Sequence, residues 1–244
     1  MKKVFITGAN KGIGFATAKE LLQKGFYVYL GCRSQERGAK ALQQLKSEGL
    51  NNAEILQIDI IDDDSVKNAR IELGKRTDTL DVLINNVGIT GDMPQDVLSA
   101  TVSEFEKVLN TNLYGTVRVV QSFRDLLERS HEPHIINISS SIGSLTLHGN
   151  TRWKYYENAN HFMVYAVSKA ALNLYSISLG NRLSKFRVNV IDPGFIKTDL
   201  TNNQGSRTPE EAAMTIVNTV MDKNVPTGKF VSDDHDSQTK ECPW

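Results

Sequence analysis

The run K-V-F-I-T-G-A-N-K-G-I-G, residues 3–14, decides the fold. Lys3 to Thr7 reads as a short strand, and it runs into a turn with glycine at positions 8, 12 and 14 from which an amphipathic helix starts. Gly8 lets the strand turn sharply, Gly12 lets the backbone approach a pyrophosphate, and Gly14 lets helix and strand pack closely. A phosphate would then rest on the free amides of the helix N-terminus. Glycines alone also describe a turn without a ligand, but here a strand precedes the turn, a helix follows it, and a second strand begins near Tyr27.

Outward from this unit, short β-branched runs alternate with longer helical patterns. Strands are expected at Lys3 to Thr7, Tyr27 to Cys32, Glu54 to Ile58, Leu80 to Asn85, His134 to Ser139, Arg187 to Ile191 and near Lys229 to Val231. Helices are expected at Gly12 to Lys24, Glu36 to Glu48, Asp63 to Lys75, Val102 to Arg129, Val164 to Leu183 and Pro209 to Met221. Nearly continuous apolar strands suit a parallel sheet covered on both faces. The expected fold is therefore α/β: one Rossmann-type, doubly wound parallel sheet of about seven strands with helices on both faces. With no repeat, low-complexity tract or linker, residues 1–244 read as one dinucleotide-binding catalytic domain.

The balance of 28 basic and 28 acidic residues gives no global field to draw in nucleic acid or an anionic membrane. No apolar run approaches the ~20 residues of a membrane span, and the opening residues pass into a strand rather than a signal-peptide core, so the expected location is cytoplasmic. Cys32 and Cys242 are far apart and suggest neither a zinc site nor a disulfide framework. No metal is expected. His131 and His134 flank the helix-breaking Pro133, and D-D-H-D at 233–236 reads as a solvated loop.

At the end of the second strand an NAD site usually places an acid for the ribose hydroxyls, whereas this chain has Gly31, Cys32 and Arg33. Arg33 can form a charge-assisted fork with a 2′-phosphate and Lys11 can add a second cation, which favours NADPH. Asp59, after the third strand, is either a partner for the adenine amino group or a turn residue.

Tyr165 and Lys169, in Y-A-V-S-K, share one face of a helix. A phenol titrates near pH ~10, and a cation ~4 Å away is strong enough to bring it toward neutrality, where a single neutral hydrogen bond is not. With these residues in view, the chain resembles the classical short-chain dehydrogenases/reductases from Lys3 to about Asp199. The residues that carry the likeness are the turn from Thr7 to Gly14, Asn85-Asn86-Val87-Gly88 with Val87 in place of the family's alanine, Asn112 in N-T-N-L-Y-G-T, and Ser140 in I-N-I-S-S-S-I-G. Pro193, Gly194 and Thr198 in D-P-G-F-I-K-T-D complete it. The long interval from Ser140 to Tyr165, R-T-P-E-E-A-A, T-G-K-F-V-S and Trp244 look like the carbonyl reductase branch.

The resemblance implies a catalytic set of Asn112, Ser140, Tyr165 and Lys169. Ser140 would bind the carbonyl oxygen, Tyr165 would protonate it, Lys169 would lower the phenol pKa and bind the nicotinamide ribose, and Asn112 would hold a water leading to solvent. Ser140 is preferred over Ser139 and Ser141 because it lies three residues before Gly143. The implied cofactor residues are Gly8, Asn10, Lys11, Gly12, Ile13, Gly14, Arg33, Asp59, Ile60, Asn86, Gly88, Tyr165, Lys169, Pro193, Gly194, Ile196 and Thr198. The implied activity is NADPH-dependent reduction of a ketone or aldehyde, reversible as alcohol oxidation. The alternatives are reduction of an enone and a cofactor-sensing regulator without chemistry. The expected partner is a small carbonyl substrate, with neither nucleic acid nor membrane. An insertion at about 145–162 carries Trp153, Tyr155, Tyr156, His161 and Phe162, either as a substrate wall or as a lid packed on the body. In that branch such an insertion covers the dimerisation face, which favours a monomer over a homo-oligomer.

Overall fold

The computed structural model describes residues 1–236 and 238–244, with the backbone alone at Asn158. Seven parallel strands form one sheet in the order β3-β2-β1-β4-β5-β6-β7. They are β1 (Lys3–Thr7), β2 (Tyr27–Cys32), β3 (Ala53–Gln57), β4 (Val82–Asn85), β5 (His134–Ile138), β6 (Arg187–Asp192) and β7 (Phe230–Ser232). The helices are α1 (Gly12–Gln23), α2 (Gln35–Ser47), α3 (Asp63–Arg76), α4 (Val102–Leu109), α5 (Thr116–Glu128), α6 (Leu145–His148), α7 (Tyr156–Ala159), α8 (Met163–Arg182) and α9 (Pro209–Met221).

The period of two along β1 builds both cores. Val4 and Ile6 face α1 and α9, where they pack with Leu21, Ile216 and Val217. Phe5 points to the opposite face, against Leu73 of α3 and Phe123 of α5. Chain order reverses between β1 and β4, which opens a crevice at the strand ends where the glycine turn lies.

Three local expectations are corrected. The helix expected from Val102 to Arg129 is interrupted by a π-helical turn, Asn110–Gly115, between α4 and α5. The turn forms because Asn112 is pulled into bonds with other elements and Ile60 presses on Gly115, where a Cβ would come within 2.7 Å of its Cδ1. β4 starts at Val82 rather than Leu80, because the Leu80 amide donates to Leu126 in a turn. β7 is shifted by one residue, so that Ser232 pairs in register with Asp192.

The insertion adds α6 and α7. Leu147 and Trp153 are buried with Phe230 and Cys242, and Tyr155, Tyr156 and Trp244 pack onto the same cluster. The Thr146 amide donates to the Trp244 carbonyl at 2.9 Å, and the Phe230 and Trp244 rings stand 5.1 Å apart. Burial at roughly 25 cal/mol per Å² explains why these rings close on the C-terminal tail. Trp153 therefore belongs to a lid packed on the body.

Candidate active site

Tyr165 and Lys169 lie in the first turns of α8, and Ser140 caps the tight turn Ser141–Gly143 that follows β5. Gly143 lets these elements meet, since a Cβ there would lie 2.7 Å from the Lys169 backbone carbon. The Ser140 hydroxyl lies beside the Tyr165 phenol, close enough to favour its ionised form. Of the three serines, Ser139 is committed to Asn173 at 2.6 Å. Ser140 is the one that faces the phenol.

Lys169 is 3 % exposed, with Nζ 5.5 Å from the Tyr165 ring centre and donating to the Ile138 carbonyl at 2.8 Å. Burial brings its ammonium down to about 8. The Tyr165 phenol is pushed above its ordinary value, first by burial and then by the Asp192 carboxylate, with Ser140 opposing. Burial and the Asp192 carboxylate thus set the direction of the phenol's shift, upward rather than the downward shift expected from spacing. The phenol holds its proton at neutral pH, which is the state a proton donor needs.

The low Lys169 value has a thermodynamic consequence. Between pH about 8 and about 10.5 the unfolded chain carries a proton on Lys169 that the folded chain has lost, so this residue makes stability rise with pH across that window. Relative to Lys169→Met, the natural protein should gain about 3 kcal/mol between those limits. Urea midpoints of both proteins across the window check this, and a constant difference between them would refute it.

Asn112 is fully buried. Its Oδ1 accepts from the Ile89 amide at 2.8 Å, and its Nδ2 donates to the Ile89 carbonyl and to Ser168 Oγ, each at 2.9 Å. The side chain thus ties the segment after β4 to α8. Gly88 sits against it, with a built Cβ 3.4 Å from Lys169 Nζ and 3.5 Å from Asn112 Oδ1.

The glycine turn is formed as expected, with Gly8 and Gly12 at φ +68 and +55. A Cβ on Gly14 would lie 2.5 Å from the Gly8 carbonyl, so the close helix–strand approach requires glycine. Asn86 holds the turn through Nδ2 bonds to the carbonyls of Thr7 (2.9 Å) and Gly8 (3.2 Å) and is thereby a positioning residue. Val87 Cγ2 crowds the same place, 2.9 Å from a Cβ on Gly8. Ile13 is half-buried against the core, and Thr198 stands opposite Gly12. Asn10, Lys11, Arg37, Lys40 and Gln44 line an open hollow of about 420 Å³. Lys11 is paired there with Asp199, and Arg33 lies 3.9 Å from Asp59. Asp59 also accepts from the Ile61 amide, so it serves the turn into α3, while the Ile60 side chain is buried on Gly115. The helix N-terminus and the cations beside it make a donor set that suits the phosphates of a dinucleotide.

Four residues outside the expected set shape the site. Arg37 adds a cation to the phosphate end, where its charge acts on Asp199. Gln95, 1 % exposed, accepts from the Tyr165 amide at 3.0 Å, donates to the Thr90 carbonyl at 2.6 Å, and bonds through its own amide to His161. It pins the segment after β4 to the start of α8. Arg207 donates to the Pro193 carbonyl at 3.2 Å and pairs with Asp233 and Asp234, while its backbone carbonyl accepts from Lys197. This fixes the loop of Pro193, Gly194, buried Ile196 and Thr198. Asp192, fully buried, is the fourth. These polar contacts have long sequence separations and leave no periodic signal. They also correct the reading of D-D-H-D as a solvated loop, because three of its members are bonded inward.

A parallel sheet with reversed order, a glycine turn at the switch point, and Ser, Tyr and Lys on adjoining elements define a class, the Rossmann-type oxidoreductases that use a nicotinamide cofactor. Residues 2–209 match the short chain dehydrogenase family. Mouse carbonyl reductase [NADPH] 3 is 32 % identical over 273 residues, covering 93 % of this chain and 95 % of that protein. (-)-Isopiperitenone reductase of Mentha piperita is 32 % identical over 297 residues, covering 92 % and 94 %. The solved structure of NADPH-bound carbonyl reductase from chicken fatty liver superposes with a TM-score of 0.83 at 27 % identity, covering 100 % of this chain and 99 % of that one. The chain belongs to the short-chain dehydrogenase/reductase family, in its carbonyl reductase-like branch.

Proposed function

We propose that the protein is an NADPH-dependent carbonyl reductase acting on ketones or aldehydes. The observation that carries this is the buried Tyr165 phenol with the Ser140 hydroxyl beside it and Lys169 Nζ 5.5 Å from its ring centre. When bound, the cofactor supplies the hydride. Ser140 orients the substrate carbonyl, and Tyr165 gives its proton to the oxygen as negative charge develops there. Lys169 places a cation where that charge is felt and can bind the nicotinamide ribose. Asn112 and Gln95 fix the two elements against each other. Gly8, Gly12 and Gly14 admit the pyrophosphate, Asn10, Lys11 and Arg37 line the hollow offered to a 2′-phosphate, and Arg33, just after β2, would add a further cation to that phosphate. A regulator that had lost chemistry would be expected to lack part of this set, and all four residues are in place.

NADPH consumption across ketones, aldehydes, quinones and enones tests the reading, and no turnover of any carbonyl would overturn it. Enones are included because one relative is named for reducing isopiperitenone. The cofactor preference should be read by Arg33, which is largely exposed and meets Asp59 only at 3.9 Å. Arg33→Asp should lower kcat/KM with NADPH roughly 10–100-fold, the range for loss of one charge-assisted bond, and weaken or reverse the preference over NADH. Equal efficiency with both cofactors in the natural protein would remove Arg33 from this role.

Among the described residues no helix is long and apolar enough to cross a membrane. A cytoplasmic location and a single catalytic domain belong to the same proposal. So does a monomer, supported by the resemblance alone, because the insertion aromatics pack on the C-terminal tail. Leu174 of α8 is 65 % exposed, and light scattering that found a stable tetramer would refute the monomer.

A further inference from the structure

Asp192 ends β6, and Ser232 at the end of β7 is its register partner. Beyond β7 the chain doubles back. The Ser232 amide donates to the Lys240 carbonyl and the Cys242 amide donates to the Phe230 carbonyl, each at 2.8 Å. This return brings His235 and Cys242 to Asp192, so that a carboxylate oxygen, an imidazole nitrogen and a thiol sulfur all lie within 4.8 Å of one another. Asp192 is 1 % and Cys242 3 % exposed, and the His235 side chain is 12 % exposed.

We propose that Asp192, His235 and Cys242 form a Zn²⁺ site that fastens the C-terminal tail to the end of β6. The donor set is the first support: one thiolate, one imidazole and one carboxylate suit a borderline-soft, tetrahedral cation, with the fourth position left to water. The spacing is the second. Bonds of about 2.0–2.3 Å to a tetrahedral zinc place its ligand atoms roughly 3.5 Å apart. His235 Nε2 and Asp192 Oδ2 already stand at 3.6 Å, and the sulfur needs to close by about 1 Å at most.

The surroundings are the third support. A ligating carboxylate is normally held by further hydrogen bonds, and Asp192 accepts from Ser232 Oγ at 2.9 Å and from the Gly194 amide at 3.2 Å, with the Ser141 amide also favouring its charged form. Among the described residues the Cys242 thiol has only the carbonyl of its neighbour Pro243 as a hydrogen-bond partner, at 3.5 Å. Zinc would turn the buried Asp192 carboxylate and the buried Cys242 thiol into ligands. The site lies behind the catalytic residues, since the Asp192 neighbours Ser141 and Gly194 border Ser140 and the Pro193–Thr198 loop. Its role is to hold that floor in place.

The test uses the full chain, stripped with a chelator, reloaded with Zn²⁺ and desalted. One zinc per chain should be retained, with a higher melting temperature. Cys242→Ser and His235→Gln should each lose the retained metal. Replacing zinc with Co²⁺ should give a thiolate-to-metal charge-transfer band that Cys242→Ser abolishes. Cys32, the only other cysteine, is buried in β2 and gives no such band. No retained zinc, or zinc retained equally by folded Cys242→Ser, would overturn the site. If Cys242→Ser does not fold, the cobalt band of the natural chain decides: its presence supports the site and its absence refutes it.

Discussion

Tyr165→Phe should lower kcat by about 10²–10⁴-fold while leaving NADPH affinity nearly unchanged. That range is what a positioned proton donor contributes, and the variant removes only the phenolic oxygen. The ring stays on α8, where Lys169 lies under it and Gln95 holds its backbone amide. The raised phenol, buried and facing Asp192, keeps its proton through neutral pH, so the loss should appear at every pH where the natural enzyme works. Single-turnover rates with saturating NADPH, beside fluorescence titration of the cofactor, separate chemistry from binding. A variant retaining more than about a hundredth of the rate would remove Tyr165 from the reaction.

The second large effect is expected at a residue that touches no substrate. A Cβ on Gly143 would sit 2.7 Å from the Lys169 carbonyl carbon and Cβ and 2.8 Å from the Ala170 amide nitrogen, all of them on α8. Gly143→Ala must therefore push the turn carrying Ser140 away from the helix carrying Tyr165. Overpacking of this kind costs about 1–3 kcal/mol, and a displacement near 1 Å can cost about 10²-fold in rate. Gly149→Ala is the control, because its backbone is helical at φ -75 and a Cβ there finds nothing nearer than 3.5 Å. Melting temperatures and kcat should fall together for Gly143→Ala and hold for Gly149→Ala. Equal behaviour of the two variants would show that the approach of turn and helix does not set the geometry.

The strands and the glycine turn were legible because their signals are local. Apolar alternation, a turn needing positive φ, and a helix starting within the same dozen residues all follow from backbone sterics over short windows. Ser140, Tyr165 and Lys169 were legible through motifs on elements whose order the sheet fixes. The π-helical turn at Asn110–Gly115 was not, since Val102 to Arg129 carries no proline, and a single glycine such as Gly115 is tolerated within a helical pattern. What bends it is the pull of Asn112 toward Ile89 and Ser168, residues distant in sequence.

By itself, then, the sequence determined the doubly wound sheet, the place of the glycine turn, and which tyrosine and lysine are proposed as proton donor and cation. Those depend on residue type and short spacing. Only the tertiary structure decided the sign of the Tyr165 shift, because burial and the Asp192 carboxylate act through space and neither is written near residue 165. It also decided that the insertion closes on the tail, that Gln95 and Arg207 hold the site, and that Cys242 meets Asp192 and His235. Hydrophobic burial and charge pairing are properties of proximity. Chain segments fifty residues apart acquire them only when β5, β6 and β7 are laid side by side and the tail folds back across their ends.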